Sequence, residues 1–193
     1  MSEATASAIT AVVAVAIFLR GISIYNRLAY LSKMKDEAWI GLDVQLKRRL
    51  SLIPNLVETV KGCAKHERET LERVTAARGT VSDAATQKAR IEAENALSGT
   101  LEKLFAVSEA YPDLKANANF LELQRKLYSI ENEIHMAQHY YNSSAREYNI
   151  WIQSFPAVLI SRNLGYREAA IFEAGETQNP EAPPQTQQES QPS

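Results

Sequence analysis

The chain has 193 residues, 45% of them hydrophobic, with a formal net charge of −2 and a pI near 6.0. That length suits one bundle domain plus appendages, and the near balance of charge gives no electrostatic reason to expect nucleic acid as a partner. The lone cysteine, Cys63, excludes an intramolecular disulfide framework, argues against a cysteine-based metal site and fits a reducing compartment.

Residues 4–19 read ATASAITAVVAVAIFL, and the first charge after them is Arg20. This run falls a little short of the ~20 residues of a bilayer span. Gly21 to Tyr25 complete it if Arg20 snorkels to the headgroups and Tyr25 sits at the interface. A cleaved signal peptide fits less well, because no Lys or Arg precedes the run and no small-x-small site follows it. A lipoprotein would need a cysteine just after the run, and none stands there. The competing reading is an Ala/Val-rich core helix. We expect an uncleaved transmembrane anchor over residues 1–24, with residues 4–24 in the lipid bilayer. Arg20, Arg27, Lys33 and Lys35 follow the span, so the positive-inside rule places the N-terminus outside and the rest in the cytoplasm of a cell with a single inner-membrane span.

The first bundle helix extends the anchor from about Ile24. Its seam runs Trp39, Leu46, Ile53, Val60, with Leu42, Arg49, Leu56 and Cys63 three residues on. Pro54 cannot donate to the Leu50 carbonyl, yet the repeat passes through it in phase, which favours a kinked continuous helix over two helices. Arg49 on this seam is either snorkelled, the favoured reading, or paired with a carboxylate across the bundle. A second helix follows over Lys65 to Arg78 on Leu71, Val74 and Ala77. Gly79 is its expected stop, and Ser82 or Asp83 the N-cap of a third helix over Ala84 to Ala110.

Tyr111-Pro112-Asp113 reads as a turn. Beyond it a heptad repeat runs through Phe120, Leu127, Ile134, Tyr141, Tyr148 and Phe155, with Leu123, Ile130, Ala137, Ser144 and Trp151 as companions. It keeps one seam apolar for roughly 10 turns, about 55 Å. Such a helix, starting near Asn117 or Asn119, must lie beside other long helices. The fold class expected is all-α: an elongated antiparallel bundle of long helices, of four-helix-bundle type, over residues 25–173. Phe155-Pro156 closes the long helix. The segment Ala157 to Phe172 is too apolar to stay free, so it packs back on the bundle or touches the membrane surface. Residues 174–193 are rich in Gln and Pro and have no aliphatic larger than Ala, which reads as a disordered tail.

Tyr25-Asn26-Arg27-Leu28, EAWIGLDVQLKRRLSLIPNLVETVKG (Glu37 to Gly62), HERETLERVTAAR (His66 to Arg78) and YPDLKANANFLELQRKL (Tyr111 to Leu127) resemble the LemA family of bacterial membrane proteins. So do Glu131 to Ile134, Tyr141-Asn142, Tyr148-Asn149 and Ser154-Phe155-Pro156. The resemblance implies one N-terminal span followed by an antiparallel bundle, with no established enzymatic activity. It further implies links to the bacterial cell envelope, to internal membranes in magnetosome-forming bacteria, and to a membrane metalloprotease and envelope stress. The chain departs from the family pattern at Cys63, where an aromatic is usual, at His135 and His139, and in its tail.

The residues themselves offer little chemistry. Glu131, Glu133, His135 and His139 are the raw material of a bundle metalloenzyme, the alternative function, and His135 and His139 at i, i+4 share a helix face. Position 132 is Asn, however, so no Glu-x-x-His forms, and His66-Glu67 lacks its second His because position 70 is Thr. Cys63 has Lys61, Lys65 and His66 nearby, but on the apolar seam it reads as an inert buried thiol. There is no phosphate loop and no nucleophile elbow. Lys47, Arg48 and Arg49 read as a solvated face with acidic neighbours, whereas Arg27, Lys33 and Lys35 could touch anionic lipid. Tyr128, Tyr140, Tyr141 and Tyr148, with Asn142 and Asn149, form a polar aromatic ladder. Its favoured role is register-setting hydrogen bonds inside the bundle, over a recognition surface. We therefore expect no enzyme, no catalytic or metal site and no cofactor. The function expected is that of a scaffold or adaptor, with an envelope protein or a second copy as partner.

Overall fold

The computed structural model describes residues 2–64 and 66–172. The expected tail, 174–193, lies outside the described residues, as does Lys65. Every regular element among the described residues is helical: α1 (Ser2–Cys63), α2 (Arg68–Asp83), α3 (Gln87–Ser108), α4 (Pro112–Lys115), α5 (Ala118–Gln153) and α6 (Ala157–Asn163). The all-α expectation holds.

α1 passes from the apolar run into the bundle without a break, and also through Pro54. Its seam is closed: Leu42, Leu46, Leu56 and Val60 are fully buried and Ile53 is almost so. Pro54 lies on the exposed side, where its ring and missing N–H disturb one solvent-facing turn and no packing. The Leu50 carbonyl that it leaves free accepts a bond from Arg78 Nε of α2 at 3.4 Å.

α5 runs back along α1. Cross-contacts pair Arg49 with Glu131, Trp39 with Tyr141, and Arg27 with Glu147, which fixes the pair as antiparallel. Three apolar clusters follow one another along this hairpin. At the end far from the apolar run, α2 and α3 cover it through Val74, Val81, Leu97 and Leu104 against Ile53, Leu56 and Phe120. In the middle, Leu42 and Leu46 meet Ile134, Tyr141 and Phe172. At the near end, Leu28 and Leu31 meet Tyr148 and Ile152. The four-helix cross-section is thus confined to the far half, and α6 with the chain beyond it replaces α2 and α3 in the near half.

Several boundaries differ from the sequence reading. Gly79 does not stop α2, which continues to Asp83; Val81 is fully buried, and its burial outweighs the ~1 kcal/mol that a glycine costs a helix. The cap of α3 is therefore Thr86, whose Oγ1 accepts the Ala89 N–H at 3.1 Å, and not Ser82 or Asp83. Tyr111-Pro112-Asp113 opens the one-turn helix α4, since Pro suits the first helical position. α5 starts near Asn117, as expected, and Asn117 is its cap, its Oδ1 accepting the N–H groups of Asn119 and Phe120 at 3.0 and 3.1 Å. Phe155 is 82% exposed and does not belong to the seam: α5 ends at Gln153, and the chain turns at a cis Phe155–Pro156 bond before the repeat reaches it.

Candidate functional site

Two polar constellations stand out, one on each half of the hairpin. The first is built from Tyr-Asn pairs one heptad apart on α5, Tyr141-Asn142 and Tyr148-Asn149. Beyond α6, Gly165 at φ +75° turns the chain, a conformation open to glycine at little cost. The chain then runs irregularly back along α5 to Phe172. Asn149 Nδ2 donates to the Ala169 carbonyl at 2.9 Å while its Oδ1 accepts the Ala169 N–H at 2.8 Å. Asn142 repeats the pattern on Phe172 at 2.9 and 3.0 Å. The spacings match: seven helical residues rise about 10.5 Å, and three extended residues span about 10 Å.

The tyrosines finish the clasp. Tyr141 Oη donates to the Ala170 carbonyl at 2.5 Å, and Tyr148 Oη to that of Arg167 at 3.0 Å. Burial, with the Asp36 charge second, pushes the Tyr141 hydroxyl up to about 12 and raises that of Tyr148 for the same leading reason. Trp39 lies edge-on to Tyr141 and stacks on Phe172, with ring centroids 5.2 and 6.2 Å apart. The hydroxyls thus find partners, as expected, but in the returning segment rather than between long helices. Tyr128 and Tyr140 stay exposed and take no part.

The second constellation centres on Arg49, which is 2% exposed and not snorkelled. Its Nη2 meets Glu94 Oε2 at 2.6 Å, and its Nη1 meets Ser98 Oγ at 2.8 Å and Glu131 Oε2 at 3.0 Å. Glu94, 1% exposed, also accepts from Arg90 Nε at 2.9 Å, and Arg90 reaches Asp43 at 3.7 Å. Arg49 cannot reach water because α3 closes over it, so the minor reading of the sequence, a pair across the bundle, is the one realised. Ionic bonds here join α1, α3 and α5 at one level. Lys47 and Arg48 do form the solvated face, paired with Asp43 and Glu133 at 2.7 Å each.

The histidines do not join a cluster. His135 and His139 are both exposed, and His135 Nε2 lies 4.0 Å from Glu131, which is engaged by Arg49. Among the described residues no three His, Cys, Asp or Glu side chains are grouped to hold a metal ion. Cys63 is half-buried against the far apolar cluster, with Asn117 Nδ2 3.8 Å from its sulfur. Nearby, Tyr111 Oη donates to Glu67 at 2.9 Å, and that bond raises the tyrosine's pKa.

Residues 38–187 match the LemA family, a span that takes in both constellations. The chain belongs to the LemA family. Protein LemA of Metamycoplasma hominis is 28% identical over 131 residues, which cover 67% of this chain and 60% of that protein. The chain thus spans less than two thirds of the length of that relative. Magnetosome proteins MamQ 1 and MamQ 2 of Paramagnetospirillum magneticum are each 25% identical over 182 residues, covering 79% of this chain and 67% of theirs. In this LemA-family chain the Tyr-Asn pairs named in the resemblance are the residues that clasp the returning segment. Reading the sequence flagged the ladder but missed Glu94 and Arg90, which sit four apart on α3 and give no signal until the helix is docked.

Proposed function

We propose that this LemA-family chain is a non-enzymatic, single-pass membrane protein of the bacterial envelope, its bundle serving as a cytoplasmic scaffold or adaptor. The supporting observation is α1: an apolar run, long enough to cross a membrane and almost wholly exposed, that continues as the buried spine of the bundle. A core helix of that composition would be covered. Arg20, Arg27, Lys33 and Lys35 after the run favour a cytoplasmic bundle in the inner membrane. The partner is an envelope protein or a second copy. The magnetosome relatives favour a part in membrane organisation, and the family resemblance adds a link to a membrane metalloprotease and envelope stress.

Crosslinking in intact cells, followed by affinity capture of the full chain and mass spectrometry, tests this reading. Reproducible crosslinks to one envelope protein, or to a second copy, are expected. Recovery of the monomer alone would overturn it.

A further inference from the structure

We propose that the turn at Phe155 and the exposed face of α6 form a second membrane contact, seated in the interfacial zone of the same bilayer that holds α1; this rests on the anchor reading. The antiparallel register of α1 and α5 sets the height. Leu28 packs beside Ile152, and Arg27 pairs with Glu147, so the end of α5 lies level with about residues 21–27 of α1, where the apolar run gives way to the bundle. There the chain displays large apolar side chains close together at one corner. Phe155 is 82% exposed, Leu159 59% and Leu164 52%.

These residues are not failed core. α6 already has an inward side: Ala157 and Ser161 are buried, and Ser161 Oγ donates to the Ile152 carbonyl at 2.8 Å. Leu159 lies on the opposite side of the helix, and Leu164, the residue that ends it, is exposed where the chain leaves α6. Arg162 in the last turn of α6, with Arg20 on α1, supplies positive charge at this level, as expected where a helix lies against headgroups. An aromatic and two leucines flanked by arginines at the depth of a span's end have the composition of an interfacial anchor. A bilayer covers this face without any change in the bundle, because the same α1 that crosses the membrane carries the corner to its surface.

The test uses the full chain with Cys63→Ser, reconstituted in phosphatidylethanolamine and phosphatidylglycerol vesicles. Single nitroxide labels are placed through Phe155→Cys, Leu159→Cys, Val12→Cys and Met136→Cys, all at exposed positions, and each variant is checked for native helicity. The reading is the ratio of oxygen to nickel-chelate accessibility, which rises with depth. Labels at 155 and 159 are expected to give ratios shifted toward that at 12 and well above that at 136. Ratios at 155 and 159 equal to that at 136, with 12 still buried in lipid, would overturn the second contact and leave the anchor standing. A water-like ratio at 12 would overturn the anchor reading itself. Dipolar broadening between labels at 155, with a water-like ratio, would assign the face to a second copy and overturn the proposal.

Discussion

Asn142 closes a ring with the backbone of Phe172, Nδ2 donating to the carbonyl at 2.9 Å and Oδ1 accepting the N–H at 3.0 Å. One amide side chain thereby meets both hydrogen-bonding needs of a residue that belongs to no helix or sheet. Asn142→Asp keeps the acceptor but turns a second carboxylate oxygen toward the Phe172 carbonyl. We expect a loss of about 1–3 kcal/mol from the docking of 166–172. Hydrogen exchange reads it: the Ala169 and Phe172 amides lose protection while those of α5 keep theirs. Equal loss along α5 would show that the clasp does not open on its own.

Removing one partner from the Arg49 cluster should depend strongly on which one is removed. Glu94→Gln leaves Arg49 and Arg90 without their shared buried carboxylate, a loss of about 3–5 kcal/mol. Arg49→Met leaves Glu94 still paired with Arg90 and Glu131 partly solvated, at 34% exposure, so the cost should be small or even negative. Urea midpoints of the two variants decide; equal losses would contradict the asymmetry.

High pH should weaken the chain through Tyr141. Its hydroxyl has an ordinary value of 10.0 and is pushed up to about 12 in the fold, so below pH 10 it is neutral whether the chain is folded or not. Between those values the unfolded chain releases a proton that the folded chain keeps. Stability therefore falls as pH rises through this window, by at most about 1.4 kcal/mol per pH unit from this group. The slope of the unfolding free energy against pH in Tyr141→Phe should be shallower than in the unmodified chain over the same window.

Pro54 and Arg78 should be energetically coupled. Pro54→Ala restores an N–H that can bond the Leu50 carbonyl and is expected to stabilise the chain by about 1–3 kcal/mol. Arg78→Ala should destabilise the unmodified chain by about 0.5–1.5 kcal/mol. In the Pro54→Ala background it should cost less, since the carbonyl is then satisfied within α1. A double-mutant cycle measures this. Strict additivity would mean that the 3.4 Å bond contributes nothing.

Much of the frame was legible because a heptad repeat reports burial directly: Leu42, Leu46, Ile53, Phe120, Leu127 and Ile134 all lie where their phase puts them. The repeat does not report where a helix stops. Phe155 has the right phase but falls two residues beyond the end of α5, so its burial could not be read from spacing. Gly79 failed in the opposite sense, because a tertiary contact at Val81 overrode a local preference. Arg49 was ambiguous for a physical reason: a cation on an apolar seam is tolerable only if carboxylates arrive from elsewhere, and Glu94 lies 45 residues away. The clasp was half visible. The Tyr-Asn repeat marked the helix side, while 166–172 carries no periodicity by which its path could be read.

The unbroken course of α1 has a mechanical consequence. From Arg20 to Cys63 the helix extends about 65 Å, and it carries α5 and the far helices with it. If the apolar run is the anchor proposed above, a thicker or thinner membrane would be met by tilting, and the continuous helix would pass that tilt down the shaft. A 10° change swings the Cys63 end through about 11 Å. Anchored in that way, the helix would act as the needle of a gauge, turning small differences in membrane thickness at its pivot into displacements at its tip comparable to the diameter of a helix.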